Sequence, residues 1–176
     1  MIVFALMGCM DAILEAPYVL TSGLGVAHAL SPSGRETMFV ATDQGVWEID
    51  GEGERFLVDA TPAQGITAHL ERVYLQRSDG LYSADLLSAG QQWVATPLGI
   101  QGVAIQAWCD DVLLVSQQER VLRWNVVHGS AEAWPIEVRG VQDIALAPGD
   151  VCQGFLALTD RAVLWVREDG VAPILS

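Results

Sequence analysis

The chain of 176 residues is long enough for one domain with a hydrophobic core and too short for two. Apolar residues make up 51% and charged residues 18%, a balance that excludes a disordered chain. The formal net charge is −13 and all nine basic residues are arginine, so lysine Schiff-base chemistry is excluded and a phosphate-backbone partner is electrostatically disfavoured. No nucleic-acid partner is expected.

In chain order, Met1 to Met7 is an unbroken apolar run followed by Gly8 and Cys9. Leu6-Met7-Gly8-Cys9 resembles the lipobox of bacterial lipoprotein signal peptides. The resemblance implies that residues 1–8 are a signal peptide, that Cys9 carries the lipid, and that residues 9–17 tether the rest to a membrane of the cell envelope, facing the periplasm or the exterior. Read without the resemblance, the same run is an apolar amino-terminal strand. No other run approaches the ~18 apolar residues of a membrane-spanning helix, so the expected membrane attachment is through the lipid.

Residues 18–176 carry an internal repeat. Thr42-Asp43-Gln44-Gly45-Val46-Trp47-Glu48-Ile49-Asp50 is echoed by Ser78 to Asp85, by Arg120 to Asn125 and by Asp160 to Arg167. Units starting at Gly25, Gly65, Gly102 and Gly140 are spaced by 40, 37 and 38 residues. That period belongs to solenoids and propellers. Each unit reads as four short strands, rich in Val, Leu, Ile and aromatics and bounded by Gly, Asp and Ser. The first strands are Val26 to Leu30, Ile66 to Leu70, Val103 to Trp108 and Val141 to Leu146. The second are Met38 to Ala41, Val73 to Gln76, Val112 to Val115 and Phe155 to Leu158. The third are the echoed stretches, and fourth strands are expected to start at Phe56, Trp93 and Trp134.

Four-stranded units of about 40 residues resemble β-propeller blades. The implied fold is all-β, a four-bladed β-propeller-like repeat of four-stranded antiparallel sheets, with the first strands around an axis. Two segments compete for the outer place in the last sheet: Tyr18 to Thr21, which would close the ring, and Val171 to Leu175, after the turn at Glu168-Asp169-Gly170. Either one of them adds a further edge strand, or a second chain completes the ring as a homodimer.

With Cys9 acylated, Cys109 and Cys152 remain. On the repeat alignment both fall near the same turn of adjacent units, and a disulfide between them is expected in an oxidising compartment; the alternative is two separate buried thiols. No nucleophile, phosphate loop or metal motif meets its spacing requirement, so no catalytic residue, metal or cofactor is expected. His28, His69, Gln106 and Asp143 occupy comparable places in the four first strands and would form a polar ring at the channel if the pleat turned them inward. Trp47, Tyr82, Trp124 and Trp165 are expected between blades. Trp108 is a candidate binding anchor or a packing residue of the rim. These features lead to a lipid-anchored envelope platform for a protein partner as the first reading. A lectin-like or small-ligand receptor using the channel mouth is the second, and a hydrolase the third.

Overall fold

The computed structural model describes residues 23–30, 36–69, 71–87, 90–109, 112–117, 119–146 and 152–175. The first sheet contains β1 (Gly23–Leu30), β2 (Glu36–Thr42), β3 (Gly45–Ile49) and β4 (Arg55–Asp59). The second contains β5 (Gly65–His69), β6 (Arg72–Arg77), β7 (Gly80–Asp85) and β8 (Thr96–Pro97). The third contains β9 (Ala104–Ala107), β10 (Val112–Gln117), β11 (Arg120–Asn125) and β12 (Ser130–Ala133). The fourth contains β13 (Val141–Ala145), β14 (Gly154–Thr159), β15 (Val163–Arg167) and β16 (Gly170–Leu175). Every sheet is antiparallel with its strands in chain order, and no helix occurs among the described residues. The fold class read from the repeat is the one observed.

The echoed stretch works as a tight hairpin because of its ends. The Thr42 hydroxyl donates to the Gly45 carbonyl at 2.8 Å and accepts the Gln44 amide at 3.1 Å, closing the turn with its own side chain. Gly45 sits at φ +131°, and a Cβ there would lie 2.1 Å from the Asp59 carbonyl oxygen, so the neighbouring strand admits only glycine.

Pleating divides each sheet into two faces, and each inner face packs on the next sheet. At the first joint Phe39, Ala41, Val46 and Val58 meet Ile66, Val73, Leu75 and Ala84. At the second, Tyr74 and Leu81 meet Ile105, Leu113, Val115 and Trp124, the two aromatic rings edge-on at 6.2 Å. At the third, Leu114, Val121 and Trp134 meet Ile144, Phe155, Ala157 and Val166, and Trp134 stands edge-on to Phe155 at 4.9 Å.

Polar bonds cross the same joints. Arg77 pairs with Asp59, and the Glu48 carboxylate accepts the Gly90 amide at 2.9 Å. Thr67 Oγ1 accepts the Ala107 amide at 3.0 Å, and the Ser116 hydroxyl donates to the Val141 carbonyl at 3.1 Å. The expected disulfide joins Cys109 to Cys152 across the third joint, with Cα atoms 5.3 Å apart.

The first strands β1, β5, β9 and β13 pack in succession, but no packing of comparable extent joins β1–β4 to β13–β16 among the described strands. Among the described residues the sheets therefore form a series with two open ends. The hairpin segment Gly170–Leu175 takes the outer place in the fourth sheet, paired with β15; Tyr18 to Thr21, like Cys9, lies outside the described residues.

Two expectations change. Trp93 and Trp134 do not begin fourth strands: Trp93 precedes β8 and Trp134 follows β12. Both side chains are buried, Trp93 against Phe39 with ring centres 5.0 Å apart, because a large ring gains more by plugging a joint than by lying on an exposed edge strand. Trp47 and Trp165 are also displaced from the expected joints, Trp47 lying opposite Val40 on the face of the first sheet away from Val46. Phe155–Val166 and Ala157–Leu164 pairs face the third sheet, so Trp165, opposite Leu156, belongs to the other face.

Candidate functional site

The four residues expected at the channel do lie on the four first strands, in β1, β5, β9 and β13. A strand's side chains alternate between the two sheet faces, which in stacked sheets means toward the preceding or following sheet rather than along the sheet plane. Thr67 and His69 share the face of Tyr74, toward the third sheet, and His69 Nε2 is buried without a hydrogen bond. Gln106 donates from its amide to the Ala107 carbonyl at 3.1 Å. Asp143 is exposed and accepts the Ile144 amide at 2.8 Å. Each of these three is engaged locally or in a joint, with no hydrogen bond from one to another. For His28 the structure describes the backbone position, opposite Met38. Among the described residues no group of three or more His, Cys, Asp or Glu side chains converges.

Trp108 is half-buried against the third joint. Its ring stands edge-on to Trp134 at 5.3 Å, and the Arg123 guanidinium lies 4.3 Å from the Trp134 ring centre and 5.6 Å from that of Trp108. Arg123 also pairs with Glu168 of the fourth sheet, while the Trp134 indole N–H donates to the Arg167 carbonyl at 3.3 Å. This cluster ties two sheets together.

A recess rich in polar side chains lies elsewhere. A cleft of about 720 Å³ opens between the second and third sheets, where the β6–β7 and β10–β11 turns meet the connection into β9. Four glutamines line its wall, Gln64, Gln76, Gln101 and Gln117, together with Arg77, Arg120 and the carboxylate-bearing Glu119. Gln76 donates to the Gln64 side-chain oxygen at 3.4 Å, Gln117 donates to the Gln101 carbonyl at 3.1 Å, and Arg120 Nε donates to the Gln117 side-chain oxygen at 3.1 Å. These bonds hold the side-chain amides of Gln64, Gln76 and Gln117, and Gln101 takes part through its backbone carbonyl. Arg77 is anchored more deeply, paired with Asp59 and stacked 4.3 Å from the Tyr82 ring centre; its Nε is buried with no partner. The Tyr82 hydroxyl donates to Asp79 at 2.7 Å, which with the Asp79 charge holds the phenol pKa above its ordinary value of 10.0, the Arg77 charge opposing. Beyond Val103 a smaller hollow of about 520 Å³ continues past Gly140, Gln142 and Asp160.

Sequence reasoning missed this cleft although a signal was present. A glutamine stands immediately before two of the unit-start glycines, as Gln64-Gly65 and Gln101-Gly102, and another lies near the end of each following second strand. The arrangement offers hydrogen-bonding and charged groups. No aromatic side chain among the described residues lines it.

No protein-family model matches the chain, and no curated protein sequence matches it. Solved structures share its fold. Hydrazine synthase of Kuenenia stuttgartiensis matches over 92% of this chain and 51% of its own, at 13% identity and a TM-score of 0.60. An extracellular domain assigned to a hybrid two-component system of B. thetaiotaomicron matches over 85% of this chain and 22% of its own, at 12% identity and a TM-score of 0.58. A chain of the mitotic checkpoint complex matches over 84% and 63%, at 12% identity and a TM-score of 0.51. The chain thus spans between about a fifth and just under two thirds of these three structures. At these identities the likeness concerns the fold: a β-propeller-like series of four-stranded sheets.

Proposed function

We propose that the chain is a lipid-anchored envelope protein of β-propeller type that serves as a platform for a protein partner, which it engages at the glutamine- and arginine-lined cleft. The observation that carries this reading is the cleft's chemistry. Fixed side-chain amides match the paired donors and acceptors of a peptide main chain, and the absence of an aromatic wall disfavours the stacking platform that sugar recognition uses. The Cys109–Cys152 disulfide supports an oxidising compartment, in keeping with the lipobox resemblance at Cys9. A second partner, another copy of the chain, is supported by the open ends of the sheet series. The polar lining, in which Arg77 and Arg120 stand with Glu119, supports a small polar ligand as the second reading.

Site-specific photocrosslinking in the native envelope tests the main reading. A crosslinker at Gln101 should capture a discrete protein, and capture should fall at least about tenfold in an Arg120→Ala, Gln117→Ala background, equal to about 1.4 kcal/mol of binding. Crosslinks only to abundant unrelated proteins, insensitive to these substitutions, overturn it. Anchoring is tested separately: Cys9→Ser should move the protein from the membrane to the soluble fraction, because stable attachment needs the acyl chains. Unchanged membrane association, or an unmodified amino terminus by intact mass, rejects the anchor.

A further inference from the structure

We propose that the two open sheet faces are the two halves of a single joint, and that two copies of this chain meet head to tail to complete a ring of eight sheets. This rests on the homodimer reading and specifies its surfaces and symmetry.

The first sheet's outward face is built like a joint that lacks its partner. Val26, Val40, Trp47 and Leu57 stand opposite one another on that face, beside the Met38–Ile49 pair. Val40 is buried, whereas Met38, Trp47, Ile49 and Leu57 are half-buried and Val26 is 55% exposed. Trp47 is two residues beyond the turn glycine Gly45, as Tyr82 is two residues beyond Gly80. At the first joint Tyr82 uses that position to pack against the preceding sheet, and Trp124 of the third strand in the third sheet packs backward in the same way at the second joint. Trp47 therefore stands where these sheets receive a predecessor, and none is present among the described residues.

The fourth sheet's outward face is the counterpart. Leu156 opposite Trp165 and Leu158 opposite Val163 place four large apolar side chains on the side away from the third sheet, with Leu175 paired next to Val163. Leu158 is 41% exposed and Leu175 62%. The face stands where a successor packs at each earlier joint.

The occupant these faces call for is a twisted sheet that presents the opposite member of the pair, and the chain owns both members. A second copy offers its first sheet to this copy's fourth sheet and its fourth to this copy's first. The two contacts are then identical and related by a twofold axis along the ring. A head-to-tail contact of this kind leaves an open fibre unless the rotation closes; eight sheets lie within the range of known rings. A face of four strands, each five residues long, covers about 320 Å² in projection. Two faces on each of two copies give about 1,300 Å², the size of a stable specific interface.

Sedimentation equilibrium and light scattering on the intact chain test this. The chain mass is 19.0 kDa, so the expected particle is two copies, about 38 kDa. Val26→Arg and Leu158→Glu alter exposed positions on opposite faces; each alone should give a monomer that keeps its β-sheet circular dichroism. In a mixed pair one of the two joints is wholly wild type, so mixing the two variants should restore a 1:1 dimer that neither forms alone. A wild-type chain that stays monomeric at all concentrations overturns the dimer itself, including the case in which the faces are protected from hydrogen exchange by another segment. A dimer indifferent to both substitutions, or a particle larger than two copies, overturns the head-to-tail ring while leaving self-association in place.

Discussion

Removing the disulfide, as Cys109→Ala with Cys152→Ala, tests how far the third joint depends on a covalent staple. The bond closes a loop of 43 residues, for which restriction of the unfolded chain contributes about 4 kcal/mol. The folded joint keeps its other ties: Arg123 with Glu168, Trp134 against Phe155, and the Ser116 hydroxyl on the Val141 carbonyl. The effect should therefore fall on the unfolded state. Cys152 has φ 85°, and alanine keeps a Cβ at that position, so the backbone strain is common to both proteins and cancels. For a chain of this length about 4 kcal/mol corresponds to a melting temperature lower by about 8–16 °C. Urea unfolding followed by tryptophan fluorescence should show a lower midpoint and a steeper dependence on denaturant, because the uncrosslinked chain exposes more surface when unfolded. A loss below about 1 kcal/mol, with the bond confirmed in the parent by peptide mapping, would refute the argument that the joint is stapled chiefly through the unfolded chain.

Phe155→Ala removes a fully buried ring from the third joint and leaves the Trp134 edge without its partner, so it should cost about 3–5 kcal/mol in the same unfolding assay. A cost under about 1 kcal/mol would mean that the joint collapses to fill the space. The Tyr82 phenol, raised by its hydrogen bond to Asp79 and by that carboxylate's charge, should ionise at higher pH in the folded protein than in the unfolded one. Its contribution to stability is present below pH 10 and is lost as pH rises through the folded-state pKa. An ultraviolet titration of Asp79→Asn should move that ionisation down; no movement rejects the assigned cause.

What was legible in the sequence came from local physics repeated four times. Alternating apolar residues between turn residues specify a strand wherever they occur, and the recurrence near 40 residues places sixteen of them in four sheets. The Thr42 to Gly45 turn could be read because its chemistry is contained within the turn, apart from the close approach of Asp59 that makes Gly45 obligatory. The Cys109–Cys152 pairing was also legible, since equivalent turns of adjacent repeats are neighbours in any radial stacking. Strand boundaries were less so: Trp93 and Trp134 look like strand residues by composition, and only the room available in each joint makes them plugs.

The tertiary structure alone decided which sheet each face meets and where the series stops. Alternation shows that Trp165 and Val166 lie on opposite faces, but only the packed third joint shows that Val166 takes the buried one. The glutamine cleft belongs to the same class, because Gln64 and Gln117 come from different sheets and share a wall only once those sheets stack. Whether four sheets close depends on the angle at each joint summed over all of them. That angle is set by the volumes of side chains interlocking between sheets, a quantity that no single repeat contains.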